Sequence, residues 1–229
     1  MKICIDAGHN HSGWDTGAQA NGLREQDITY RIAVLLQQKL QSNGIQTVMT
    51  RKSETENLGN SVNSSLKKRA EIPNNETCDY FISIHCNAGG GTGTEVLVVQ
   101  KGGQAEQLAS AVLQSLTKDL SLRSRGVKEA NLLVLRETVC PAILVETAFL
   151  DDPTDAALLR NNPEIFASAI SKGVLKHLNI TPTDELSTLK ELLSDKWGLD
   201  NSAAVFTLLD QHPYRKDLYK KLLKSYEKE

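Results

Sequence analysis

The sequence lacks an excess of charge of either sign: 26 lysines and arginines stand against 28 aspartates and glutamates, a net charge of -2 over 229 residues. That balance gives no overall field for a polyanion, so nucleic acid is not an expected partner. Long hydrophobic runs are also missing. No stretch reaches the roughly 18 apolar residues of a membrane span, and integral membrane association is not expected. The four cysteines, Cys4, Cys78, Cys86 and Cys140, lack C-x-x-C spacing, which argues against a zinc ribbon or a redox dithiol. They lie in or beside apolar segments and are expected to be reduced, packing as small hydrophobes. The chain opens on the strand-like "MKICID" without the basic and apolar regions of a signal peptide, so synthesis as a soluble cytoplasmic protein is expected. There is no internal repeat and no low-complexity tract.

What is present is a 40% hydrophobic chain, enough for one sizeable core. "KICID" reads as a buried strand, and Glu25 to Asn43 carries Ile28, Ile32, Leu35, Leu36 and Leu40 at helical spacing, closed by Gly44. "IQTVMTR" (45 to 51), "YFISIHC" (80 to 86), "TEVLVV" (94 to 99), "NLLVLRE" (131 to 137) and "AILVETAFL" (142 to 150) are further strand candidates. Helices are expected near 61 to 72, as a polar one, and at 104 to 118, 153 to 160 and 163 to 178. Strands alternating with helices imply an α/β fold, a mainly parallel twisted sheet with helices on both faces. "NITPTDE" (179 to 185) has the composition of a linker. The expected domains are therefore 1–180 and 181–229. The second is a small C-terminal helical module, patterned around Leu186 to Leu193, Ala203 to Leu209 and Leu218 to Tyr226. Under 50 residues bury little core alone, so it is expected to dock on the main domain or to oligomerise.

Three apolar runs end in unexpected chemistry: "ICIDAGH" in His9, "YFISIH" in His85, and "AILVE" in Glu146. A carboxylate inside such a run costs several kcal/mol unless it meets a charge, a hydrogen-bond network or a metal. In a parallel sheet the carboxyl ends of the strands share one edge, where ligands bind. Singly, each histidine reads as hydrogen-bonded structure, and Glu146 as a partner for Arg125 or Arg136. Jointly, two histidines and a carboxylate suit Zn²⁺, which takes nitrogen and oxygen ligands. Glu25, in the first turn of its helix, reads on its own as an acid complementing the helix dipole.

The order of the segments resembles the zinc-dependent N-acetylmuramoyl-L-alanine amidases of the amidase-3 type. "DAGHNHSGWDTGA" matches the D-A-G-H opening with its later D-x-G-A. "GLREQD", "VMTR", "KRAEIPN", "FISIHCNA", "GTEVLV", "RGV" and "PAILVETAFL" follow in the family's order over residues 1 to about 180. The resemblance implies that His9, Glu25 and His85 ligate Zn²⁺ and that Glu146 is the catalytic carboxylate. It implies a substrate-positioning role for Asn87, and leaves Asp6 and Asp15 as loop-ordering or ligand-orienting groups. Asn10 and His11 replace the glycines common after the first histidine, and "LDDP" (150 to 153) stands where a Ser-Asn pair is frequent. His11 is expected in a loop or facing solvent, and His177 and His212 as ordinary surface or packing residues.

The implied activity is hydrolysis of the amide joining N-acetylmuramic acid to L-alanine in peptidoglycan. Without a signal peptide, a phage endolysin acting on the wall after release fits best, with residues 181–229 as a wall-targeting or oligomerising element. A sporulation autolysin of the same chemistry and a non-catalytic wall-binding module are the alternatives. A nucleotide-binding reading rests on "GGGTGTE" (89 to 95), which lacks the G-K-[ST] ending of a phosphate loop and runs into a strand.

Overall fold

The computed structural model describes residues 1–182, which hold the unit Met1–Thr181 and its boundary. The three apolar patterns expected between Leu186 and Tyr226, and His212, lie outside the described residues.

A six-stranded sheet runs in the order β4-β1-β5-β8-β6-β7. Its strands are β1 (Lys2–Ala7), β4 (Gln46–Met49), β5 (Tyr80–Asn87), β6 (Thr94–Val98), β7 (Ser124–Glu129) and β8 (Ala142–Phe149). A two-stranded hairpin, β2 (Gln19–Ala20) with β3 (Leu23–Arg24), stands apart from it. The ladders β4·β1, β1·β5 and β5·β8 are parallel, β8·β6 is antiparallel and β6·β7 is parallel again. The sheet is thus mainly parallel, as expected, with one reversal that the residue pattern does not announce.

Successive residues of a strand face opposite sides, and two cores follow. Ile3, Ile5, Ala7, Ile82 and Ile84 join one cluster with residues of α1 (Glu25–Gln41), α3 (Gln104–Leu120), α5 (Pro153–Asn161) and α6 (Pro163–His177). Cys4, Phe81, Ala142 and Leu144 join the other, which Val134 and Leu135 of α4 (Leu133–Arg136) complete, with Leu66 and Ile72 of α2 (Val62–Asn75) packed against it. Because the central strands are buried on both sides, they read as continuous apolar runs.

Local chemistry sets the helix ends. In α1, Ile28, Ile32, Leu36 and Leu40 form a buried stripe. Ser61 and Ser64 form a reciprocal capping box at the start of α2, and the Asp152 side chain accepts from the amides of Thr154 and Asp155 at the start of α5, where Pro153 occupies the first turn.

Two expectations are corrected. Residues 131–137 do not form a strand: Leu133–Arg136 is a single helical turn that buries Val134 and Leu135. Its leucine-rich run suits helix as well as sheet. Ser124–Glu129 was not expected as a strand, and as the polar outer strand it carries no alternation of apolar residues. The four cysteines are free thiols, with Cys4, Cys78 and Cys86 buried and Cys140 partly so. No helix among the described residues is long and apolar enough to cross a membrane.

Candidate metal centre

The carboxyl ends of β1 and β5 bring His9 and His85 to one edge of the sheet. Gly8 makes this approach possible: its amide donates to the Ile84 carbonyl at 3.0 Å, and a Cβ there would stand 2.5 Å from that oxygen and 2.6 Å from the His85 ring. His9 itself takes a left-handed backbone, φ 68°, a conformation uncommon for a side chain of this size. Its ring meets that of His85 edge-on, with centroids 4.7 Å apart.

Glu25, the first residue of α1, is delivered to the same place by the β2–β3 hairpin. Its Oε1 lies 3.0 Å from His9 Nε2 and 3.0 Å from His85 Nδ1, and accepts the Cys86 amide at 3.0 Å. Its Oε2 accepts the Ala18 amide at 2.9 Å. One potential ligand atom from each of His9, Glu25 and His85 lies within 4.8 Å of the others. Gly17 closes the cradle, since a Cβ there would come within 2.5 Å of Glu25 and 2.7 Å of His9.

The remaining ring nitrogen of His9, Nδ1, faces Asp15 Oδ1 at 3.2 Å. Asp15 is itself fixed by the Ser65 hydroxyl at 2.6 Å and by Arg69 at 3.3 Å. A carboxylate behind a histidine in this way orients the ring and raises its basicity. Burial pulls the His9 imidazole down, but hydrogen bonds to Asp15 and Glu25 outweigh it and lift the pKa to about 9. Burial pushes Glu25 up, and the two histidines hold it far below the ordinary carboxylate range instead.

Glu146 lies beside this triad. It is the register partner of His85 in β5·β8 and of Glu95 in β6·β8, so the three side chains share a face of the sheet. Its Oε2 is buried with no hydrogen-bond partner among the described residues. Burial pushes its carboxyl up to about 7, opposed by the nearby His85. It pairs with neither candidate arginine: Arg125 bonds Glu95 and Arg136 bonds Glu137 and Asn131. The three strand-end side chains, His9, His85 and Glu146, lie close enough together for Glu146 to feel both histidines, but Glu146 is not the carboxylate in contact with them. Glu25 is the carboxylate that touches both histidines.

These residues fit a divalent metal of zinc type. Two imidazole nitrogens and a carboxylate oxygen are a suitable donor set, the two glycine contacts leave the cradle no room for another side chain, and the neighbouring Glu146 keeps a buried oxygen without a hydrogen-bond partner among the described residues.

Asn87 does not meet the triad; its amide donates to Glu95 Oε1 at 3.2 Å. Asp6 accepts from Thr50 at 2.6 Å, Ser83 at 2.7 Å and Arg69 at 2.9 Å, all buried. Arg69 and Arg51 are 1% and 0% exposed and tie this network to the Ala7 carbonyl, a role that nothing in the residue pattern marks. Glu95, also unmarked, is 7% exposed and holds Arg125 and Lys128. The glycine-rich loop cradles no phosphate: the amides of Gly89 and Gly90 donate to Asp151 and that of Gly93 to Asp155. His11 lies in the loop but is only half-exposed, with Nδ1 buried and unpartnered among the described residues. His177 packs against Tyr80, 3.1 Å from its hydroxyl.

Comparison with known proteins agrees in one direction. The family model described as N-acetylmuramoyl-L-alanine amidase matches residues 3–176. The N-acetylmuramoyl-L-alanine amidase CwlM of Bacillus licheniformis is 39% identical over 174 residues, covering 76% of this chain and 65% of the relative. The endolysin of Bacillus phage SPP1 is 33% identical over 188 residues, covering 78% of this chain and 66% of the relative. The chain thus matches about two thirds of the length of each. The crystal structure of an N-acetylmuramoyl-L-alanine amidase from Clostridium difficile 630 superposes with a TM-score of 0.70 at 34% identity, covering 78% of this chain and 96% of that one.

Proposed function

The chain belongs to the N-acetylmuramoyl-L-alanine amidase family, and from that premise we propose that it is a zinc-dependent hydrolase. Its substrate is the amide between N-acetylmuramic acid and L-alanine in peptidoglycan. The observation that carries the reading is the convergence of His9, Glu25 and His85 within 4.8 Å of one another, with the unpartnered Glu146 on the neighbouring strand.

In this reading His9, Glu25 and His85 hold Zn²⁺, and residues 1–180 are the catalytic domain. When bound, the metal supplies polarisation of the amide carbonyl and a nucleophilic water at neutral pH. Asp15 keeps the His9 ring turned so that Nε2 points at Glu25. Glu146 takes the proton of the attacking water and returns it to the departing nitrogen. Its raised proton affinity suits a group that must both accept and donate near neutrality. Burial of this carboxylate keeps bulk water from levelling that exchange.

Similarity to a phage endolysin supports action on the wall after release, with residues 181–229 as a separate wall-targeting element. Similarity to a bacterial amidase supports the second reading, an autolysin of the same chemistry. An oligomerising role for the tail has no support among the described residues.

Digestion of purified peptidoglycan tests the proposal. New alanine amino groups should appear without new reducing sugars, vanish on chelation and return with Zn²⁺. Wall binding without any hydrolysis would instead point to the non-catalytic module. Hydrolysis that survives complete metal removal would overturn the zinc assignment.

A further inference from the structure

The polar row on this face continues past Glu146. The register pairs His85 with Glu146 and Glu146 with Glu95, and β7 then contributes Arg125 and Lys128. Glu95 Oε2 accepts from Arg125 Nε at 2.8 Å and from Lys128 Nζ at 2.5 Å, and its Oε1 accepts from Asn87. A bulge makes this possible. Thr94 pairs with Ser124 but Val96 with Val127, so Arg125 and Gly126 stand together opposite Glu95, and Gly126 takes φ 89°. Bulges of this kind re-aim a side chain at a sheet margin.

One carboxylate therefore faces two cations. Arg125 stacks on the Phe149 ring, 4.8 Å from its centroid, and spends only Nε on Glu95. Neither of its terminal nitrogens makes a hydrogen bond among the described residues. The side chains of Arg125 and Lys128 remain 29% and 44% exposed, whereas that of Glu95 is 9% exposed. The buried acid sets the position and the cations keep outward donors.

We infer that Arg125 and Lys128 form an anion subsite that binds a carboxylate on the second residue of the peptide, with Glu95 as the positioning residue beneath them. The inference rests on the amidase reading and deepens it. Two strand spacings separate β8 from β7, roughly 10 Å, which is the reach of two or three extended peptide residues from the scissile bond. The glycan side carries no anion once its lactyl carboxyl is tied up in the amide, so the charge that meets these cations lies on the peptide side.

The test uses the full chain loaded with Zn²⁺ and two synthetic substrates. One is an N-acetylmuramoyl-L-alanyl dipeptide with a single free carboxylate on the second residue, and the other is the same compound with that carboxylate amidated. The parent should prefer the acid through KM, and K128Q and R125Q should each reduce the acid-to-amide ratio of kcat/KM by about tenfold, as loss of one charge-assisted hydrogen bond predicts. Added salt should narrow the parent's preference. Lys128 is exposed enough for K128Q to fold, and K128R should restore most of the ratio. Cleavage of both substrates at equal efficiency, or ratios unmoved by either substitution, would overturn the subsite while leaving the amidase reading intact. Cleavage of neither would overturn the amidase reading itself.

Discussion

Gly17→Ala is the most direct perturbation of the candidate metal cradle, because it adds one methyl group and removes no functional atom. Gly17 has no left-handed backbone to lose, so the effect is steric alone. The new Cβ would lie 2.5 Å from Glu25 Cβ and Oε2 and 2.7 Å from His9 Cδ2, where ordinary contacts begin near 3.4 Å. Glu25 must therefore move from the methyl by about 0.9 Å and His9 by about 0.7 Å, against a tolerance of roughly 0.2 Å in metal-ligand distances. Zinc affinity should fall about tenfold to a hundredfold, the range seen when ligands lose their supports. Overpacking should cost about 1–3 kcal/mol of stability, leaving a folded protein. Chelator competition reads the affinity, and circular dichroism confirms the fold. Gly103→Ala, whose Cβ would meet nothing within 4 Å, is the control. A folded Gly17→Ala protein that binds zinc as tightly as the Gly103→Ala control would refute the assignment of Glu25 and His9 to one metal.

Separating metal from proton transfer needs two substitutions. Glu146→Ala should retain zinc and lose about 10²–10⁴-fold in kcat, while His85→Ala should lose both zinc and turnover, as metal analysis beside a hydrolysis assay would record. Wild-type turnover in Glu146→Ala removes it from the mechanism. Asp6 offers a pH test of the network behind the candidate metal centre. Burial pushes its carboxyl up, but Arg69, Thr50 and Ser83 together hold it below its ordinary value of 3.8. A lowered folded value means that its contribution is complete above pH 3.8 and is lost as pH falls through the folded value. Asp6→Asn, which leaves the buried Arg69 with Asp15 as its remaining carboxylate, should cost about 1.5–3 kcal/mol at neutral pH in denaturant unfolding, the range for a lost hydrogen bond to a charged group, with the difference from the parent shrinking in acid. A difference that stays constant from pH 7 to pH 2 would count against the pairing.

Much of this was legible in residues, and the failures have physical causes. The central strands are buried on both faces, so their apolar runs stand out, and His9 and His85 stand out because they interrupt such runs. Glu25 does not, because an acid in the first helical turn already has an ordinary reason to be there; only the resemblance to a family raised it. Ser124–Glu129 is a polar outer strand, which suppresses the alternation on which strand recognition depends. Strand direction is not encoded in side-chain pattern, so the reversal at β6 was invisible. Nor do charged residues declare their burial. Arg69 sits beside Lys67 and Lys68 in a polar helix, yet it is 1% exposed while its lysine neighbours face solvent.

The buried Arg69 explains how the candidate metal centre is held at the end of a strand. Its Nη1 joins Asp6 and the Ala7 carbonyl at 2.9 and 2.7 Å, and its Nη2 reaches Asp15 at 3.3 Å. Asp15 in turn faces His9 Nδ1. One guanidinium therefore connects the end of β1 to the group that orients the first histidine. Desolvation makes a buried ion pair a poor source of net stability, since well-packed apolar side chains of similar volume often do as well. An apolar replacement, however, leaves Asp15 held from behind by Ser65 alone and so holds the His9 ring less firmly. Arg69 thus costs in burial what it returns in orientation, and the strained backbone of His9 at φ 68° is kept in place from behind.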